Sequence, residues 1–247
     1  MKPGARTAVF LFGAVLTGLA TLTAVLGLPP FGSAHHPYGA AAIVAAVAHQ
    51  TSNAVSSVNF DSRGLDTLIE ELVLLGSVLG VSVLLRPNRD EQERRVPETG
   101  RILPSSVLVG YLLLPVTAVV GLGVIAHGQQ TPGGGFQGGI VVGTAVHLLY
   151  VAGSFRAVEG IRPLDRYAVA EAVGAGGFAV TGVAGLVATG SFLANVLPRG
   201  TFGDPFAGGT VALLNGLVGV EVVAGTVVLL AHFLDQEILV RTKGDAS

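Results

Sequence analysis

The chain has 247 residues, of which 50% are hydrophobic and only 12% are charged, and its formal net charge is −2. Soluble domains carry about 25% charged residues, so this composition argues against a soluble protein and favours an integral membrane protein. The slightly negative charge argues against a nucleic-acid partner. The sequence contains no cysteine, which excludes disulfides and thiolate metal sites.

Six segments are apolar and long enough to cross a bilayer, for which a helix needs about 20 residues. They are approximately Thr7–Leu28, Asp66–Leu85, Ser105–Ala126, Phe136–Phe155, Tyr167–Gly190 and Gly209–Leu234. The first is longer than the apolar core of a secretory signal peptide, so a retained helix is favoured over a cleaved signal. Residues 39–60 are apolar over too short a stretch and are expected to be interfacial or re-entrant. The predicted fold class is an all-α integral membrane protein with about six transmembrane helices.

Lysine and arginine are unevenly distributed between the two sides of these spans. The N-terminus, the loops after the second and fourth spans, and the C-terminal tail hold twelve of the 14, and the other loops hold two. The positive-inside rule therefore predicts that both termini are cytoplasmic. The six spans predict a multi-pass membrane protein, which we expect in the plasma membrane.

Residues 86–101, RPNRDEQERRVPETGR, form the densest run of charges in the sequence, and Pro87 and Pro97 lie near its two ends. We interpret this run as a cytoplasmic linker, although an ordinary positive-inside loop is equally compatible with it. The predicted organisation is a two-helix module over 1–86, a linker over 87–101 and a four-helix module over 102–247.

Ionisable side chains inside the bilayer are costly and usually face a bundle interior or a hydrated path. Within the predicted spans they include Glu70, Glu71, His147, Glu171 and Glu221. Glu70 and Glu71 can be interfacial groups near a helix N-terminus. Glu171 can pair with Arg166 or extend to the cytoplasmic surface, and His147 can be a packing histidine. Glu221, roughly 18 Å from either end of its span, needs a partner from another helix or stays protonated.

A glycine-rich stretch, HGQQTPGGGFQGG (residues 127–139), separates the third and fourth spans. Pro132 can serve as a first-turn helix residue. Gly133, Gly134 and Gly135 can adopt positive φ and let another segment approach closely. After Phe136, the residues Gly138, Gly139 and Gly143 continue a small-residue stripe suited to helix packing in lipid. A tight re-entrant turn is the alternative, and a phosphate-binding loop is a poor fit because no basic residue follows.

The motif TPGGGFQGG resembles the signature of the B subunit (MnhB) of the Mrp-type multisubunit sodium/proton antiporters. The similarity extends from about Ile102 to Leu234, and Glu171 also resembles the early-helix glutamate of that family. The family often has a histidine three residues before the proline, where this chain has Gln129.

The segment NAVSSVNFDSRGLDTLIEE, Asn53 to Glu71, resembles the C-terminal end of the large A subunit of the same complexes. The matching positions are Asn53, Val55, Val58, Asp61, Arg63, Gly64, Asp66, Thr67 and Glu70. The two pieces would be adjacent in an assembled complex, so a fusion of an A-tail module with a B module is expected.

The resemblance implies an accessory membrane subunit of a monovalent cation (Na+)/proton antiporter, not an enzyme. Its partners would be the other subunits, membrane lipid and the transported Na+ and H+, and no catalytic residue, metal or cofactor is expected. The candidates for an ion or proton path are Asp66, Glu70, Glu71, His147, Glu171 and Glu221. Two alternatives stay open: a subunit of an ion-pumping membrane-bound hydrogenase-type complex, and a structural membrane scaffold in which the carboxylates merely pack.

Overall fold

The computed structural model describes residues 3–28, 37–86, 103–151 and 164–244, and these residues form helices and loops without a β-strand. The α-helices are α1 (Pro3–Leu26), α2 (Pro37–Ala48), α3 (Ala54–Ser57), α4 (Gly64–Leu84), α5 (Pro104–Ala126), α6 (Gly135–Val151), α7 (Leu164–Thr189) and α8 (Thr210–Gly244). A π-helix, Val58–Ser62, joins α3 to α4. The predicted all-α class is confirmed.

Five helices in the described part of the chain are long and apolar enough to cross a membrane. These spans are Gly4–Leu26, Gly64–Leu84, Pro104–Ala126, Leu164–Thr189 and Thr210–Phe233, and they match five of the six predicted ones. The remaining predicted span corresponds to α6, whose described part has 17 residues, and its predicted end, 152–155, lies outside the described residues. The fourth predicted span, Phe136–Phe155, and the cytoplasmic position of the termini stay predictions.

Residues 39–60 form short elements rather than a spanning helix, as their polar interruption indicates. The apolar helix α2 has 12 residues, and the chain turns at Gln50, which has a φ of 61°. Asn53 then caps α3, because its side chain accepts hydrogen bonds from the backbone N–H groups of Val55 and Ser56. The predicted linker, 87–101, lies outside the described residues.

The chain divides into two compact units, residues 1–40 and 41–247. In the first unit, α1 exposes apolar side chains such as Phe10 and Leu19 along its length. Apolar side chains all round a helix suit a membrane span surrounded by lipid or by other helices.

The second unit is organised around α8, the most deeply buried of the five spanning helices. Helix α8 packs against α4, α5, α6 and α7, and α5 packs against α6. Its buried side chains recur every three or four residues, which is the spacing of one helix face. The hydrophobic core combines these side chains of α8 with side chains of the π-helix, of α4, of α7 and of the loop after α7. Its members are Phe60, Leu68, Phe178, Leu193, Val211, Leu214, Val218 and Val222.

Glycines set the close spacing of α6 against its two neighbours. A Cβ on Gly139 would lie 2.7 Å from Val222 Cβ on α8, and one on Gly143 would lie 3.0 Å from Thr226 Cγ2. A Cβ on Gly138 would meet Ile125 on α5 at 2.5 Å. The small-residue stripe therefore faces two different helices, as close packing in lipid requires.

Candidate functional site

Three glutamates on three different helices are buried in the second unit. Glu71 on α4 is 1% exposed, Glu171 on α7 is 3% exposed, and Glu221 on α8 is 0% exposed. Glu171 Oε1 lies beside Gly225 of α8, about one turn from Glu221, and Glu71 lines the same cavity as Asn215 and Val218 of α8. The fold therefore brings together three carboxylates that are up to 150 residues apart in the sequence.

Helices α7 and α8 meet through a reciprocal pairing of glutamate with glycine. A Cβ on Gly174 of α7 would lie 2.6 Å from Glu221 Cβ, and a Cβ on Gly225 of α8 would lie 3.2 Å from Glu171 Oε1. Each glutamate thus occupies space that a missing side chain on the opposite helix leaves open. The pairing also fixes the two helices as antiparallel, since positions 171 and 174 face 225 and 221.

The buried carboxylates have oxygens that nothing in the described part of the chain satisfies. Oε2 of Glu71, Oε1 of Glu171 and both oxygens of Glu221 are buried without a hydrogen-bond partner among the described residues. Among the described residues Glu171 forms no ion pair with Arg166, and its Oε1 lies against Gly225 of α8. Leaving buried polar atoms unsatisfied is costly, so these oxygens require protons, water molecules or a cation as partners.

A cavity of about 630 Å³ lies beside this cluster, between α4, the glycine-rich stretch and α8. Glu70 and Glu71 line it from α4, and Asn215 lines it from α8. The volume has room for several water molecules, and the polar side chains around it can hold them; these include Ser56, Asn59, Thr67, Ser77 and Gln137. Glu71 belongs both to the cavity and to the buried cluster.

The glycine-rich stretch closes around Asn215. Gly133 and Gly134 have φ of +126° and +144°, and the backbone N–H of Gly135 donates a 3.0 Å hydrogen bond to Asn215 Oδ1. The sequence predicts Pro132 as a first-turn helix residue. This prediction is wrong, because helix α6 begins only at Gly135. The reason is that the φ angles of the two glycines after Pro132 lie outside the helical region.

Two asparagines, neither of them predicted as a site residue, hold the stretch in place. Asn215 Nδ2 donates to Ser56 Oγ at 2.9 Å, and Asn53 Nδ2 donates to the carbonyls of Gly128 and Thr131 at 2.8 Å each. The sequence does contain an indication of the role of Asn215. Its amide lies inside the apolar span Gly209–Leu234, and polar side chains in such spans usually form hydrogen bonds to other helices. These bonds join residues 53–56 to the glycine-rich stretch and to α8.

Gln129 occupies the position at which the resemblance suggests a histidine. It is 2% exposed, and its side-chain amide donates to the carbonyls of Ala126 and Pro205. Here the residue ties the end of α5 to the loop before α8.

The remaining predicted site residues lie outside the buried cluster. Asp66 is exposed and pairs with Arg63, whose Nε lies 2.6 Å from its Oδ2. Glu70 is exposed at the edge of the cavity. His147 on α6 is half-buried, and its Nε2 has no hydrogen-bond partner in the described part of the chain. Within the described ranges, no three potential metal-ligating side chains group as a metal site.

Comparison with known proteins identifies the family. A sequence model for a domain related to the MnhB subunit of Na+/H+ antiporters matches residues 106–228. The uncharacterized protein MJ1307 of Methanocaldococcus jannaschii is 31% identical over 198 residues, which cover 70% of this chain and 73% of that protein. The chain belongs to the MnhB-related family. The predicted resemblance to the B subunit is confirmed, and this family member is a multi-pass membrane protein.

Two solved complexes contain chains with the same fold. One is the membrane-bound sulfane sulfur reductase, an archaeal respiratory membrane complex, with 25% identity, a TM-score of 0.71 and coverage of 93% of this chain and 98% of that chain. The other is the Mrp complex from Dietzia sp. DQ12-45-1b, with 26% identity and a TM-score of 0.66. In that case 92% of this chain matches 26% of a much longer chain.

Proposed function

We propose that this protein is an accessory membrane subunit of a multisubunit complex that exchanges a monovalent cation, Na+, for protons across the plasma membrane. Its partners are the other subunits of that antiporter-like complex. Glu71, Glu171 and Glu221 form part of the ion or proton path within it. One observation carries the proposal: three carboxylates from three helices are buried around α8 in the membrane-spanning core with unsatisfied oxygens.

The chemistry of such a cluster favours exchange of protons or cations. Like charges repel strongly where the dielectric constant is low, so the three carboxylates cannot all be ionised without a counter-ion. Uptake of a proton or cation by one of them lowers the cost of charge on the others. A scaffold would gain stability by filling the same space with apolar side chains.

The positions along α8 give the path a direction. The cavity and Glu71 lie level with Asn215 and Val218, whereas Glu171 lies level with Gly225. Ten residues of helix separate Asn215 from Gly225, which is roughly 15 Å. We infer a route from the hydrated cavity through Glu71 and Glu221 to Glu171. With the predicted orientation, it runs from the outer side toward the cytoplasm.

Two findings support the proposed organisation as a fusion of an A-tail module with a B module. The match to the sulfane sulfur reductase chain spans nearly all of both chains, and the Mrp match lies within a longer polypeptide. Asn53 and Asn215 also form hydrogen bonds between the two modules, which is expected of modules that fold together.

A second candidate function is a membrane subunit of a redox-coupled ion-pumping complex. The observation that favours it is the 98% coverage of a chain from a respiratory complex, which means that such complexes use a subunit of this size and fold. The buried glutamates would serve the same ion-conducting role in either setting.

Identifying the partners distinguishes these functions. The tagged chain would be purified from native membranes in mild detergent, and the proteins that co-purify would be identified by mass spectrometry. Antiporter-type subunits together with sodium-dependent proton movement in vesicles are the expected result. Subunits that carry redox centres would support the second candidate, and the absence of any co-purifying membrane subunit would contradict both.

A further inference from the structure

One side of α4 exposes polar side chains inside a membrane-spanning helix. Asp66, Glu70 and Ser77 are exposed, and their spacing of four and seven residues places them on one stripe. Glu70 is the seventh residue of α4, roughly 9 Å from the start of the helix, so it lies deeper than the first turn.

The exposed surfaces of the neighbouring helices differ from this side of α4. Beyond the first turn of α5, which exposes Ser105 and Ser106, the exposed side chains are hydrophobic, among them Leu108, Leu112, Val116 and Val119. On α7 the exposed charges are Asp165 and Arg166, which lie in the first turn. A carboxylate facing lipid is unfavourable at membrane depth. The polar side of α4 is therefore poorly suited to contact lipid.

Glu70 also has no basic partner in the described part of the chain. Asp66 is paired with Arg63, but Glu70 takes part in no such ion pair, and the adjacent Glu71 is another acid. The cavity at whose edge Glu70 stands contains Glu71, which is 1% exposed and whose Oε2 has no hydrogen-bond partner there. The cavity therefore has two acidic side chains and no basic side chain among its lining residues.

A flat surface lies next to this stripe. Ile69, Val73, Gly76 and Gly80 form a second stripe on α4, which we term the docking face. Ile69 and Val73 are 52% and 64% exposed, and a Cβ on Gly76 or Gly80 would meet nothing within 4 Å. Glycines four residues apart on an open helix surface allow another membrane helix to approach closely.

The geometry points to one occupant: a membrane-spanning helix of another subunit that packs on the docking face and places a lysine or arginine against Glu70. Such a helix covers the polar stripe, neutralises the unpaired carboxylate and closes the lateral side of the cavity. This inference rests on the proposed function only in requiring that the protein assembles with other membrane subunits.

The docking face is tested by Gly76→Leu and Gly80→Leu in the whole complex. A new side chain at either position meets open space in this chain, so the chain is expected to keep its normal level in the membrane. The co-purifying subunits are expected to fall about tenfold or more. Gly176→Leu on α7 is the matched control, because a Cβ there also meets nothing within 4 Å. Normal assembly of both α4 variants, or an equal loss in the control, would overturn the inference.

The partner is identified by photocrosslinking in native membranes. The sequence has no natural cysteine, so Gly76→Cys can be labelled uniquely with a maleimide–benzophenone reagent and then irradiated. The expected product joins this chain to a membrane helix of a different polypeptide, with a lysine or arginine within one or two turns of the crosslinked position. Crosslinks to lipid alone, to a second copy of this chain, or to a helix without a basic residue would overturn it.

These outcomes are separable from those of the proposed function. If the docking-face variants assemble normally while substitution of Glu221 abolishes transport, the docking inference fails and the proposed path survives. If the variants lose their partner while the Glu221 substitution leaves transport intact, the path fails and the docking face stands.

Discussion

Glu221 Cβ lies 2.6 Å from the position that a Cβ on Gly174 would occupy. No side chain fits between these two residues, so α7 and α8 touch at the level of the buried carboxylates. The reciprocal contact of Glu171 with Gly225 lies one turn away. The spacing of the two helices is therefore set by the same residues that place the acids next to each other.

Gly174→Ala is expected to force α7 away from α8. The added methyl would meet Glu221 Cβ and also the Leu217 carbonyl oxygen at 2.8 Å, and backbone atoms cannot move aside cheaply. Overpacking of this kind costs about 1–3 kcal/mol. Thermal unfolding of the purified complex in detergent measures it. Gly176→Ala, which meets nothing within 4 Å, should be neutral or slightly stabilising, and equal stability of the two variants would contradict the packing.

Asn215→Leu is expected to loosen the glycine-rich stretch. It removes the acceptor of the Gly135 N–H and the donor to Ser56 Oγ, and each buried group left unsatisfied costs about 1–3 kcal/mol. A double-mutant cycle with Ser56→Ala measures the coupling across the two modules in the same unfolding assay. Strictly additive effects would indicate that the Ser56–Asn215 bond does not link them.

Gly134→Leu is expected to disrupt complex assembly. Its φ of +144° is strained for any side chain, and a Cβ would lie 2.7 Å from Asn215 Oδ1. Gly203→Leu separates backbone strain from the steric contact with Asn215, because Gly203 has a φ of +90° but nothing within 4 Å of an added Cβ. Co-purification of the other subunits should fall much further for Gly134→Leu. Normal assembly and ion exchange in Gly134→Leu would show that the glycine-rich stretch is a connecting loop without a role in assembly.

Topology is tested by cysteine labelling of intact cells, since the natural chain has no cysteine. The distribution of lysine and arginine predicts that Gln130→Cys reacts with an impermeant reagent and that Gln92→Cys does not. The opposite pattern would invert the orientation of the whole chain and the direction of the inferred path.

The spanning helices could be predicted because length and apolar composition are properties of a continuous segment. The same rule explains why residues 39–60 do not span, since Gln50 and Asn53 interrupt the apolar run. The sequence also places Glu221 deep in its helix, because depth follows from residue count along an axis.

The meeting of Glu71, Glu171 and Glu221 could not be predicted, because it depends on which faces of three helices pack together. Hydropathy gives no rotation for helices that are apolar all round. Asn215 was missed for a related reason, since a single neutral amide hardly changes the mean hydropathy of a long apolar run. Its importance comes from Ser56 and Gly135, which are distant in sequence and adjacent in the fold.

The central claim, that the buried carboxylates conduct protons or cations, is tested most directly at Glu221. Sodium-dependent proton movement would be measured in everted vesicles that contain the assembled complex with Glu221→Gln or Glu221→Asp. A carboxylate that cycles its proton must keep a titratable group. Glutamine is therefore expected to abolish transport while assembly is retained, and aspartate is expected to preserve part of it. Full transport by Glu221→Gln would mean that Glu221 is a permanently protonated packing residue, because glutamine is then a near-isostere, and the account would be contradicted.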